Sequence, residues 1–157
     1  MFETIVWATD GSESADRALP YVKELAGAGA SLVVVHAVET FVTSYAAGLP
    51  VFGDEDETTA KIERQVEELR AEGIAADASI LKPGRMRPAE LVAEAAREAG
   101  ADVIVVGTRG HTPLGGLLLG SVTQRLLHIA NQPVLTVPAS RGATAEAEAW
   151  TSSESTA

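Results

Sequence analysis

Three short segments, "ETIVWAT" (residues 3–9), "SLVVVHAV" (31–38) and "ADVIVVG" (101–107), are apolar at nearly every position instead of at alternate ones. A strand with one wet face alternates apolar and polar residues, whereas a strand covered on both faces reads as a continuous apolar run. Such runs, separated by helical patterns, direct the chain to a parallel sheet sandwiched between helices.

The intervening segments fit that plan. After the first run, "DGSES" offers Asp10, Ser12 and Ser14 as helix N-caps, and Ala15, Ala18, Leu19, Val22, Leu25 and Ala26 recur at helical spacing as far as Gly27 and Gly29. Pro20 lies inside this pattern and is expected to bend the helix, because its ring removes one backbone donor. Ile62, Val66 and Leu69 mark one face of a charged helix from about residue 58 to 72. "IAADASIL" (74–81) is a weaker strand. Pro88 suits the first turn of the next helix, which turns Leu91, Val92, Ala95, Ala96 and Ala99 inward. A last helix spans about 120–130, and "PVLTVP" (133–138) is a fifth strand. Residues 39–57 show no clear periodicity and read as a long loop, either a binding loop or an insertion without a role.

Five strands alternating with four helices predict an α/β fold: a doubly wound five-stranded parallel sheet with helices on both faces, Rossmann-like, joined by right-handed crossovers. With strand order 3-2-1-4-5, a ligand site is expected where the order reverses, beyond the carboxyl ends of strands one and four. The residues just past those ends are Asp10 and Gly107. The domain is expected to occupy residues 1–138. The remainder, 139–157, is small, polar and aperiodic, the composition of a disordered tail, with Trp150 the one residue arguing otherwise.

Composition narrows the function classes. The 157-residue chain is long enough for one domain, and with aromatics at 4% its interior must be built from Val, Leu, Ile and Ala. The formal charge is −10, with three Lys against nine Arg and no basic cluster to track a phosphodiester backbone, so nucleic acid is not an expected partner. There is no Cys, which excludes disulfides, thiolate metal sites and thiol catalysis. No run reaches the length of a membrane span, and the N-terminus carries no basic-then-apolar leader, so a cytoplasmic protein with no membrane partner is expected.

The fourth strand runs into "GTRGHTPLGGLLLGS" (107–121), in which five of fifteen residues are Gly. Glycines cluster where the backbone must adopt positive φ or meet a ligand closely, so this stretch either cradles phosphates at the start of the last helix or only turns the chain. A dinucleotide fingerprint needs G-x-G-x-x-G after the first strand, and "TDGSES" has one Gly. A Walker loop needs Lys and Ser/Thr after its last Gly, where this chain has Ser121 and Val122. What stands here is Gly107-x-x-Gly110, nine residues, then Gly120-Ser121.

With that motif, the chain from "VWATDGSESADRAL" through "VVVHAVE" to "ADVIVVGTRGHTPLGGLLLGSVTQRLLHIANQPVLTV" resembles the universal stress protein family, whose nucleotide-binding members carry G-x-x-G-x9-G-[ST] after the fourth strand. The resemblance implies an ATP-binding domain, with Mg2+ compatible with that ligand, acting as a stress-response sensor or regulator and usually homodimeric. It implies a binding set of Thr9, Asp10, Ala37, Val106, Gly107, Arg109, Gly110, Gly120, Ser121 and Val122. Asp10 would contact the adenosine and the Ala37 backbone the adenine edge. Val106 and Gly107 would line base and ribose, Arg109 and Gly110 would border ribose and phosphates, and Gly120 to Val122 would hold the phosphates. Two features depart from the family pattern: "KPGRMRPAELV" is longer than the usual turn, and "HTPLGG" is less charged.

Blander readings compete at several positions. Asp10 can be a helix N-cap, Ser121 a cap, and Arg109 a solvated side chain. His36 reads as a hydrogen-bonded core residue, and His111 and His128 lack metal-ligand spacing. No G-x-S-x-G elbow or evident general base marks a dedicated enzyme, although slow ATP hydrolysis stays open. The competing function is an interaction or chaperone-like module of the same fold that binds no nucleotide. "PVLTVP" would lie at a sheet edge, where pairing with its copy makes a homodimer, unless Pro133 and Pro138 protect the edge of a monomer.

Overall fold

The computed structural model describes residues 2–27, 29–38, 42–46, 49–52, 55–82, 84–108 and 119–139. Along the chain these form β1 (Thr4–Ala8), α1 (Glu13–Asp16), α2 (Leu19–Ala26), β2 (Ser31–Ala37), β3 (Val42–Ala46), β4 (Leu49–Phe52), α3 (Glu55–Ala71), β5 (Ala75–Leu81), α4 (Pro88–Glu98), β6 (Val103–Gly107), α5 (Ser121–Ile129) and β7 (Val134–Val137).

Five of the strands make one parallel sheet in the order β5-β2-β1-β6-β7. Counted within that sheet alone, this is the expected order 3-2-1-4-5. The continuous apolar runs explain it physically. In β1, Ile5 and Trp7 point to the face covered by Ala18, Val22 and Ala26 of the α2 region and by Ile62, Val66 and Leu69 of α3. Val6 and Ala8 point to the opposite face, against Ala89, Val92 and Ala96 of α4 and Leu126 of α5. All four β1 residues are at most 4% exposed, which a half-wet strand could not achieve.

Two expectations are corrected. The helical pattern after β1 is two helices, not one bent helix. Pro20 has no N–H to offer Asp16, and α2 restarts with Ala18 as N-cap and Pro20 in its first turn, where the missing donor costs nothing. The segment 39–57 is not wholly loop either. β3 and β4 pair antiparallel as a two-stranded sheet, and α3 begins at Glu55, earlier than the apolar face suggested. The tail from residue 140 onward, Trp150 included, lies outside the described residues.

Candidate functional site

The order reverses at β1, which has β2 on one side and β6 on the other. Ala8 pairs with Val35 of β2 and with Val106 of β6, so Thr9 and Asp10 leave the sheet between the carboxyl ends of those two strands. The Thr9 amide still donates to Val35 O at 2.9 Å, which fixes the point of exit.

The turn that follows is built from short polar side chains. Thr9 Oγ1 accepts the Gly11 amide at 3.1 Å and Asp10 Oδ1 accepts the Ser12 amide at 3.0 Å, each bending the backbone two residues on. Ser12, not Asp10, caps α1, accepting the Ala15 amide at 3.2 Å. Gly11 has φ +74°, and a Cβ there would meet Thr58 Cγ2 of α3 at 2.8 Å, so both its conformation and its neighbour require glycine. Lys61 of α3 closes the turn from above: its Nζ donates to Gly11 O at 2.5 Å and to Asp16 Oδ2 at 2.6 Å.

His36 anchors the same turn from below. It is 3% exposed, and its Nδ1 lies 3.0 Å from Thr9 O. A carbonyl only accepts, so Nδ1 is the donating nitrogen, and Nε2 faces Glu55 Oε2 at 3.0 Å. His36 is therefore a core residue with a partner on each nitrogen, joining the ends of β1 and β2 to the start of α3.

On the other side of β1, the start of α5 is tied to the end of β6. The Gly120 amide donates to Thr108 O at 2.6 Å, and the buried Thr123 hydroxyl donates to Gly107 O at 2.7 Å. Thr108 also joins the edge strand, donating its amide to Val137 O at 2.8 Å and accepting the Ala139 amide on Oγ1 at 3.0 Å. Gly120 is the N-cap of α5 in extended backbone, with no side-chain cap and no acidic residue in the first turn. Uncapped amides at a helix start favour an anion, both as donors and through the helix dipole.

Among the implied binding residues, Thr9, Asp10, Ala37, Val106, Gly107, Gly120, Ser121 and Val122 lie at this rim or directly behind it. The Val106 side chain is buried against the α4 and α5 face, so that side chain serves the core. Arg109 and Gly110 lie outside the described residues, as does His111. His128 is exposed on α5. Among the described residues no group of three or more His, Cys, Asp or Glu is arranged to hold a metal, and no helix is long and apolar enough to cross a membrane.

The model of the universal stress protein family matches residues 1–138. The chain belongs to the universal stress protein family. A universal stress protein of Thermus aquaticus is 43% identical over 143 residues, covering 87% of this chain and 99% of that one. A Methanocaldococcus jannaschii relative, universal stress protein MJ0577, is 29% identical over 87% of this chain and 95% of its own. Among solved structures, that of hypothetical protein MJ0577 superposes with a TM-score of 0.74 at 26% identity, covering 90% of this chain and 99% of that one. A universal stress protein in complex with cAMP superposes at 0.63 with 27% identity, covering 88% of this chain and 98% of its own. One from Archaeoglobus fulgidus in complex with dAMP gives 0.62 with 25% identity, covering 87% and 97%.

In this universal stress protein, sequence reasoning did not single out Lys61, Glu55, Thr108 or Thr123. Lys61 lies on a helix read only as charged and Glu55 in the segment 39–57 read as a loop, and their roles depend on where α3 docks. Thr123 carried a usable signal: a polar residue at a position where α5 turns inward must find a partner, and Gly107 O supplies it.

Proposed function

We propose that this chain binds ATP and acts as a nucleotide sensor or store in the stress response, as a cytoplasmic homodimer that passes its state to a protein partner. The observation that carries this reading is the meeting of the β1 exit turn with the α5 start where the strand order reverses. One side offers Asp10 and the backbone beside Ala37 for an adenosine, and the other offers the uncapped amides of the first turn of α5, from Ser121 onward, for phosphates. The described residues fit such a ligand, since nothing on α5 itself competes with an anion for its first turn. The cAMP and dAMP complexes of structural neighbours support an adenine nucleotide as the ligand class.

In this reading ATP is a ligand whose binding changes the protein, and Mg2+ would accompany it by screening its phosphates. The family resemblance adds Arg109 and Gly110, which lie outside the described residues, to the phosphate side of the proposed site. Gly120→Val tests this arrangement without touching a positive-φ position: ATP affinity should fall while the melting temperature stays within a few degrees. Unchanged affinity would remove the α5 start from the site and favour an interaction module that takes no nucleotide.

For the homodimer, the support is β7. It is one of the two edge strands of the five-stranded sheet, and Leu135 on it is 38% exposed, an apolar side chain on a strand with one unpaired side. Pairing of β7 with its copy about a two-fold axis would cover both.

A further inference from the structure

His36 is buried, and each of its ring nitrogens meets an oxygen that accepts. Nδ1 lies 3.0 Å from Thr9 O and Nε2 lies 3.0 Å from Glu55 Oε2. A neutral imidazole carries one N–H, which the Thr9 carbonyl takes, and its other nitrogen then presents a lone pair. A lone pair and a carboxylate oxygen repel, so the second contact requires one further proton between Nε2 and Oε2. The pair therefore holds one proton more than a neutral imidazole and a carboxylate hold apart. The count is the same whether that proton is placed on the ring or on the carboxyl group.

This proton matters because of what the ring holds. Thr9 and Asp10 form the exit of β1, and Ala37 follows His36 at the end of β2, so one ring ties together the two backbones proposed to meet an adenosine. Glu55 begins α3, the helix whose Lys61 donates to Gly11 O in the same turn. Of the other charged groups on the surrounding elements, Asp10 Oδ1 accepts the Ser12 amide, Asp16 pairs with Lys61, and Asp77 of β5 pairs with Arg70. Asp56 and Glu57 complete the acidic first turn of α3. The proton has a way out, since Glu55 is 28% exposed where His36 is 3% exposed.

We propose that the His36–Glu55 pair is a proton-dependent clamp on the adenosine side of the site, tight while the shared proton is present and slack once it leaves. The proposal rests on the nucleotide reading and adds to it a dependence of affinity on pH, with Glu55 as a positioning residue that acts through His36. As pH rises, the proton passes from the pair to solvent and leaves a neutral ring that still donates to Thr9 O, with its Nε2 lone pair against a carboxylate. The contact opens, the ring loses its second anchor, and the β1 exit turn is less often in the shape that accepts a ligand. Affinity is thus full at low pH and falls as pH rises, by at most about tenfold per pH unit for one proton.

The test titrates the full chain, stripped of nucleotide, with ATP and Mg2+ at about pH 6, 7 and 8.5, a range that spans the charge change of histidine. The wild type is compared with Glu55→Gln, whose amide N–H donates to a neutral Nε2 without the extra proton, and with Glu55→Ala, which makes no such contact. Titration of the ATP phosphates is common to all three proteins and cancels in the ratio of their affinities. Thermal melts at each pH establish that each protein is folded. Wild-type affinity relative to Glu55→Gln should fall about three- to tenfold from the lowest pH to the highest. It should fall relative to Glu55→Ala as well, because the alanine variant should bind at every pH about as weakly as the wild type does at the highest. Ratios independent of pH, with ATP bound, would overturn the clamp and leave the nucleotide reading standing, even where the melting temperatures shift with pH. ATP bound by none of the three at any pH would overturn the nucleotide reading and the clamp with it.

Discussion

Lys61 Nζ donates to the carbonyl oxygen of Gly11 at 2.5 Å, so a helix that enters the chain fifty residues later holds the turn that β1 makes at the strand-order reversal. The same ammonium pairs with Asp16 at 2.6 Å and spans α3, the turn and α1. The proposed adenosine side of the site is thus shaped by α3 as much as by β1.

Lys61→Met should therefore loosen that turn while keeping most of the side chain's bulk. The pair with Asp16 is about one-third exposed and worth little alone, so the loss of stability should be about 1 kcal/mol, measured by urea denaturation. Amide exchange at Gly11 and Ser12 should rise more than exchange in β6. A uniform rise across the sheet would mean that Lys61 stabilises the fold without positioning the turn.

Gly11→Ala should destabilise for two separable reasons. The φ of +74° costs a side chain about 1–2 kcal/mol, and the new Cβ meets Thr58 Cγ2. Adding Thr58→Ala should recover the contact part and leave the backbone part, giving a favourable coupling in a double-mutant cycle. Strict additivity would contradict the contact.

Thr123→Val keeps the shape and removes the hydroxyl that donates to Gly107 O at 2.7 Å. It should cost about 1–3 kcal/mol, the penalty of leaving a buried acceptor unpaired. Because that bond ties α5 to β6, nucleotide affinity should fall with it. A variant that loses stability and keeps full affinity would separate the tie from the site.

Asp102 gives a pH prediction. Its carboxylate accepts the Thr4 amide at 3.0 Å and the Glu3 amide at 2.7 Å, and these bonds, Thr4 first, hold its pKa below the ordinary value of 3.8. The charged form is the stabilised one, so the contribution is complete above pH 3.8 and disappears as pH falls through the lower folded-state value. Asp102→Ala should melt below the wild type at neutral pH, with the gap closing in strong acid. A gap independent of pH would remove the charge from the explanation.

The edge strand makes a prediction about assembly. Leu135→Glu should shift the protein from dimer to monomer in analytical ultracentrifugation, because a charge on a paired apolar edge opposes pairing. An unchanged sedimentation coefficient would place the interface elsewhere or leave the wild type monomeric.

The sheet was legible because its signal is local and redundant. Runs such as Ile5–Ala8 and Val103–Val106 state burial on both faces, and helical patterns between them leave few topologies. The split at Pro20 was less legible, since a proline after one helical turn can bend a helix or start a new one, and only packing of Ala18 and Val22 decides. The β3–β4 hairpin pairs strands of weak pattern, with Gly48 and Pro50 breaking any period. At the site, Asp10, Gly107 and Gly120 follow from sequence position alone. Lys61 and Glu55 do not, because each acts across a contact between elements distant in the chain.

The central claim is most directly tested by calorimetric titration of nucleotide-stripped protein with ATP and Mg2+, beside AMP, with the mixture analysed for ADP afterwards. Saturable binding that favours ATP, with no ADP formed, is the predicted result. No heat and no thermal stabilisation at millimolar ATP would contradict it and leave the stretch from Gly107 to Ser121 a structural turn.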